Sequence, residues 1–255
     1  MATTFDPHDL AARYVTAYAD RVAIATRDRG AEPQSVDDAY AVQALVMQAL
    51  GATGGFKTGK PDPGQPNVMA PIPAAHVRPS PAHYAAAGMR LCGIELEIAF
   101  RIDADLPRLD TADYDARLRA AVAAVPAIEM VDTRLADHEN VSSMIKLSDN
   151  QFGFGLVVGE PVKDFSRLNL SNPGIAFSVD GVQTGATVGQ VPGDADAFQV
   201  LKGFLEVVGD HCGGLKPGMY VTTGALSGLF WMEKNISVEG SIAGLGEVRV
   251  TVGDA

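Results

Sequence analysis

Leu91-Cys92-Gly93-Ile94-Glu95-Leu96-Glu97-Ile98-Ala99-Phe100 places two acids inside an otherwise apolar run. Side chains alternate across a strand, so residues two apart share a face. Read as a strand, Cys92, Ile94, Leu96, Ile98 and Phe100 make one apolar face. Gly93, Glu95, Glu97 and Ala99 make the other, where only small residues flank the acids. Two adjacent carboxylates repel, and burying them without a counter-charge is costly. Two readings follow: a strand with solvent-facing acids, or a site built for a cation.

A third acid shifts the balance. Pro126-Ala127-Ile128-Glu129-Met130-Val131 reads as a short buried strand, and Ile128, Met130 and Val131 enclose Glu129. Three carboxylates with water form an all-oxygen shell, which suits Mg²⁺ or Mn²⁺ better than Zn²⁺.

The rest of the chain reads as α+β. Asp6-Pro7 starts a helix expected to run past Leu10, Tyr14 and Tyr18 towards Arg27, ended by Asp28-Arg29-Gly30. Ser35 caps a second helix, which Gly51 ends. The proline-rich stretch over residues 61–81 cannot be regular helix or central strand, and is expected to be a loop around a site or a neighbouring subunit. Residues 112–125 are alanine-rich and read as a helix, as do residues 194–213. Strands are expected between residues 152 and 187, at 219–223 and at 248–252. This gives a helical N-terminal portion over residues 1–75 and a strand-rich core over residues 76–255.

The 255 residues, 47% hydrophobic, are enough for a sizeable core. A net charge of −11 argues against nucleic acid and anionic membranes as partners. Cys92 and Cys212 show no metal-ligand spacing, and so low a count suits a reducing compartment. The first residues lack a basic region followed by an apolar stretch, and no apolar run reaches the roughly 18 residues of a membrane span. A cytoplasmic protein is expected.

Gly54-Gly55-Phe56-Lys57-Thr58-Gly59-Lys60-Pro61 comes close to a phosphate-binding loop, but Pro61 stands where the metal-binding hydroxyl belongs. Lys57, among glycines, is either a surface lysine or a group that pairs with a substrate carboxylate and moves protons. Thr223-Gly224-Ala225-Leu226-Ser227-Gly228 is a small-residue loop after a strand. Gly224, Ala225 and Leu226 could line a pocket with backbone N–H groups, or form a tight turn.

Together these segments resemble the 2-keto-4-pentenoate hydratase and oxalocrotonate decarboxylase branch of the fumarylacetoacetate hydrolase superfamily. Gly55-Phe56-Lys57-Thr58-Gly59 is similar to its G-[WY]-K-I-G, and Ile94 to Phe100 to V-E-x-E-I-A-F. Pro126-Ala127-Ile128-Glu129-Met130-Val131-Asp132-Thr133-Arg134 is similar to P-A-L-E-I-V-D-S-R, and Thr223 to Leu229 to T-G-S-L-T-G-L. The resemblance implies a mixed β-roll with flanking helices, and Mg²⁺ or Mn²⁺ held by Glu95, Glu97 and Glu129. It also implies a 2-keto or enol carboxylate substrate, Lys57 as the catalytic lysine, and a homo-oligomer. The activity implied is hydration of a 2-hydroxy-2,4-dienoate to a 4-hydroxy-2-keto acid in aromatic catabolism. Decarboxylation of an oxalocrotonate-like diacid, C–C hydrolysis of an acylpyruvate using His138 and Glu139, and a non-catalytic metabolite-binding role stay open.

Two departures bear on the substrate. Lys60-Pro61-Asp62-Pro63 replaces the family's hydroxyl-bearing continuation, so Lys60 becomes a candidate for a second carboxylate. Asn67 stands where the family's E-P-D-[FY]-G has a carboxylate that could serve as base.

Overall fold

The computed structural model describes residues 4–59, 65–193 and 196–254. Two helices open the chain, α1 (Pro7–Asp20) and α2 (Val36–Leu50), and α3 (Tyr114–Ala121), α4 (Ser143–Ser148) and α5 (Ala197–Leu205) lie between strands. The larger sheet has the order β2 (Val68–Pro73), β1 (Thr53–Gly59), β10 (Tyr220–Ala225), β5 (Cys92–Ile102), β6 (Val122–Val131), β7 (Gly153–Val158), β3 (Val77–Pro79). A further strand, β11 (Phe230–Met232), pairs with β5 at Cys92 to Ile94. The smaller sheet has the order β4 (Ala82–Ala85), β13 (Gly246–Gly253), β12 (Ile236–Ile242), β8 (Ile175–Val179), β9 (Val182–Gln183). β1 and β10, β3 and β7, and β4 and β13 pair in parallel, and the other pairs are antiparallel, so both sheets are mixed. The fold is α+β, as expected. No helix among the described residues is long and apolar enough to cross a membrane.

β5 lies in the middle of the larger sheet, and its two faces do different work. Ile94, Leu96, Ile98 and Phe100 share the main core with Val238, Val248 and Val250 of the smaller sheet. A Cβ on Gly240 would lie 2.6 Å from Leu96 Cδ1, so a glycine lets the second sheet close down on β5. The opposite face carries Glu95 and Glu97. It is flanked by an aliphatic cluster at Ala99, Val125, Ala127 and Leu156, and by another in which Val131 meets Tyr14, Val42 and Ile145.

Ser35 caps α2 as expected. Its side chain accepts from Asp38 N–H, and Asp38 returns the bond to the Ser35 N–H. α1, by contrast, stops at Asp20, with Arg21 in the left-handed region at φ 57°. The continuation towards Arg27 fails because Ile24 is drawn into a bridge with Leu135: its N–H donates to Arg134 O and its carbonyl accepts from Ala136.

Among the described residues, the helical N-terminal portion expected over residues 1–75 is α-helical only to Leu50; β1 and β2 are strands of the larger sheet. The proline stretch is likewise no simple loop. It supplies β2 and β3, the two ends of that sheet, where a missing N–H is tolerated. Met69 and Ile72 of this stretch are buried in the chain's own core. The alanine-rich run is divided: the helix ends at Ala121, and Val122 to Val125 begin β6. All ten residues of β6 are buried, and that burial outweighs alanine's intrinsic helix preference.

Candidate metal centre

Glu95 and Glu129 are direct cross-strand partners on β5 and β6, and Glu97 follows on the same face opposite Ala127. Like charges opposite one another destabilise a strand pair. Burial sharpens the conflict, since Glu97 is 1% exposed and Glu129 is fully buried. Each acid offers an oxygen, and these oxygens lie within 4.8 Å of one another. Oxygens on one octahedral Mg²⁺ at ~2.1 Å stand roughly 3 to 4.2 Å apart, so small side-chain shifts would bring the three to one ion.

Their hydrogen bonds leave room for that ion. Glu97 Oε2 accepts from Gly224 N–H at 2.7 Å. Glu129 Oε1 accepts from Lys57 Nζ at 2.5 Å, while Glu129 Oε2 is buried with no partner. Glu95 accepts no hydrogen bond among the described residues. Three carboxylates against one ammonium leave a net negative charge in a desolvated place. The donor set and the orphaned oxygen fit a hard divalent cation.

Lys57 comes from β1, which pairs in parallel with β10 through Lys57 and Thr222. The glycines around it serve packing. A Cβ on Gly55 would lie 2.6 Å from the Tyr220 carbonyl, and one on Gly153 would lie 3.2 Å from Lys57 Cδ. Besides Glu129, Lys57 Nζ donates to the Gln151 carbonyl at 3.2 Å. Burial disfavours its charge, but Glu129, Glu95 and Glu97 outweigh that and hold the ammonium above the usual lysine range. The Gln151 carbonyl is presented by three successive left-handed residues, Asn150, Gln151 and Phe152, at φ 50°, 49° and 63°. A buried Arg134–Asp149 pair anchors this turn, with Phe152 N–H on Asp149 O and Asp132 N–H on Phe152 O.

The carboxylates pay for their crowding in protonation. Desolvation, then Glu129 and Glu95, push Glu97 well above its ordinary value. Desolvation also raises Glu95, with Lys57 opposing and Glu129 adding. A carboxylate whose pKa is raised on folding takes up protons as the chain folds, so stability falls as pH rises from its unfolded towards its folded value. In chelator, the melting temperature should therefore fall as pH rises above the ordinary carboxylate range, and saturating Mg²⁺ should flatten that fall. Thermal melts with and without Mg²⁺ test this; parallel curves would remove the metal from these acids.

The other residues singled out in the sequence divide. Asn67 Nδ2 is 3.3 Å from both Thr58 Oγ1 and Val200 O, tying the start of β2 to α5. With Gly224, Thr223, Gly59 and Gln199 it lines a cavity of about 180 Å³. Gly224 and Leu226 do not offer free N–H groups to a substrate: the first is spent on Glu97 and the second on Leu96 O, and the Leu226 side chain is buried. Ala225 pairs with Glu97 across β10 and β5. Lys60 lies outside the described residues. His138 and Glu139 form no dyad; the His138 ring packs against Trp231 and Phe152, at 5.1 and 6.1 Å between centroids. Sequence reasoning missed Gln151, which acts through its carbonyl, and Lys146 on α4, whose charge acts on Glu95 and Glu129. Neither has a motif to betray it.

No family model matches the chain. Among solved structures, 4-oxalocrotonate decarboxylase from Pseudomonas putida G7, complexed with magnesium and adipate, superposes with a TM-score of 0.80 at 17% identity, covering 97% of this chain and 98% of that one. The same enzyme complexed with calcium and acetate gives 0.78, with the same identity and coverage. Fumarylpyruvate hydrolase from Pseudomonas aeruginosa, in complex with Mn²⁺ and pyruvate, gives 0.54 at 20% identity over 80% of this chain and 91% of that one. The chain has the fold of these enzymes of the fumarylacetoacetate hydrolase superfamily, the superfamily that its E-x-E and P-A-I-E strands resemble.

Proposed function

We propose that the chain is a Mg²⁺- or Mn²⁺-dependent lyase acting on a 2-keto or enol carboxylate, and that it removes CO₂ from an oxalocrotonate-like diacid. The observation that carries this reading is the convergence of Glu95, Glu97 and Glu129, with Lys57 bonded to Glu129. A metal on these acids supplies a Lewis acid to the substrate's 2-oxygen.

The chain's own groups do the rest. Gly224 N–H fixes the Glu97 carboxylate. The Gln151 carbonyl and Glu129 aim Lys57 Nζ at the cluster. In decarboxylation the C–C bond to the leaving carboxylate breaks and its electron pair passes along the conjugated chain towards the 2-oxygen. CO₂ departs, and a proton returns to carbon; Lys57 Nζ holds a proton where it is needed.

Loss of CO₂ is favoured over hydration by what stands at Asn67. Water addition calls for a base, and Asn67 is an amide committed to Val200 O and Thr58 Oγ1. The full-length likeness to a decarboxylase whose structure holds a dicarboxylate points the same way. Hydration of a 2-hydroxy-2,4-dienoate is the second reading, supported by the four motif matches, and it uses the same metal and lysine. The test is to incubate purified protein and Mg²⁺ with oxalocrotonate, 2-hydroxydienoates and acylpyruvates, and to weigh the products. Loss of CO₂ is expected; addition of water would establish the second reading, and inertness towards the whole panel would contradict both.

A further inference from the structure

Lys146 is a cation without an anion. It projects from α4 between the buried Ile145 and Leu147, is itself exposed, and carries its Nζ 5.3 Å from the centre of the Phe152 ring. Phe152 directly follows Gln151, whose carbonyl holds Lys57. The Lys146 side chain forms no hydrogen bond or ion pair among the described residues, yet its charge is felt with those of Glu95, Glu129 and Lys57. Desolvation and Lys57 draw its pKa below the usual lysine value, against those two acids.

A charge count gives this lysine a purpose. Three carboxylates, one divalent ion and Lys57 sum to zero. Such a site holds a 2-keto carboxylate through the metal, but offers no net attraction to a second carboxylate. It also leaves Lys146 nothing to neutralise, since the acids it faces are already compensated. Lys57 lies deep, at 11% exposure of its side chain, whereas Lys146 is exposed, over the Phe152 ring.

We propose that Lys146 binds the distal carboxylate of a 2-keto dicarboxylic acid whose keto-acid end lies on Glu95, Glu97 and Glu129, so that it selects diacids over monoacids. This rests on the metal-site reading above and names the substrate class of that site. The Phe152 ring, next to the Gln151 whose carbonyl holds Lys57, keeps the ammonium in place by a cation–π contact.

The test uses two keto acids of equal chain length, 2-oxoadipate and 2-oxohexanoate, titrated calorimetrically into the Mg²⁺-loaded protein. Wild type should bind the diacid about tenfold or more tightly than the monoacid, as for one charge-assisted hydrogen bond. Lys146→Met should abolish that difference by weakening the diacid alone, Lys146→Arg should keep most of it, and Mg²⁺ affinity should be unchanged or slightly higher in both. No preference in wild type, a preference that survives Lys146→Met, or equal weakening of both acids would overturn the assignment while leaving the metal site standing. Failure of wild type to bind Mg²⁺ would instead overturn the metal-site reading, and this inference with it.

Discussion

Lys57→Met should lower turnover on the order of a hundredfold or more, the scale of losing a positioned acid–base group. Methionine keeps much of the stem, which must pass Gly153, and removes only the ammonium. Stability should respond differently with and without metal. In chelator the variant leaves Glu129, fully buried, beside two other acids with no cation, a loss of about 3–5 kcal/mol if all stay ionised. Bound Mg²⁺ replaces the missing charge, so the melting deficit should shrink on loading. Steady-state rates and paired thermal melts measure both effects. Full kcat in Lys57→Met with loss in Lys60→Met would move the catalytic role to the second lysine.

Glu97→Gln should weaken Mg²⁺ binding at least about a hundredfold, because a carboxylate ligand is lost and its neutral replacement is a poor donor to a hard cation. The amide oxygen can still accept from Gly224 N–H, so the strand geometry is kept. The apoprotein should hold or gain stability, since a desolvated charge repelled by Glu129 and Glu95 disappears. Metal-dependent stabilisation should vanish. A variant that binds Mg²⁺ like wild type in calorimetry would exclude Glu97 as a ligand.

The acid-bearing face was legible because strand periodicity is two and a charge in an apolar run stands out. Both signals are local to Ile94–Ile98 and to Ile128–Val131. What escaped depends on distant parts of the chain. β1 reads as a glycine loop, yet Gly55 is small because the Tyr220 carbonyl lies against it, a crowding no local pattern encodes. Val122 to Val125 look helical until pairing with β5 buries them in the sheet. The proline-rich stretch reads as a loop, whereas β2 turns Met69 and Ile72 into the chain's own core. Gly224 and Leu226 read as a pocket lining or a tight turn, and their N–H groups are given to Glu97 and Leu96 O. Lys146 carries no sequence signal, because nothing in its local pattern shows that its charge is felt at Glu95.

Crystals of the protein soaked in Mn²⁺ would test the central claim most directly, through the anomalous scattering of the metal. A single strong peak about 2.1–2.2 Å from one oxygen each of Glu95, Glu97 and Glu129, absent in Glu97→Gln, is the expected result. Mn²⁺ bound elsewhere, with Glu129 Oε2 still unpartnered and Lys57 alone offsetting the three acids, would contradict it.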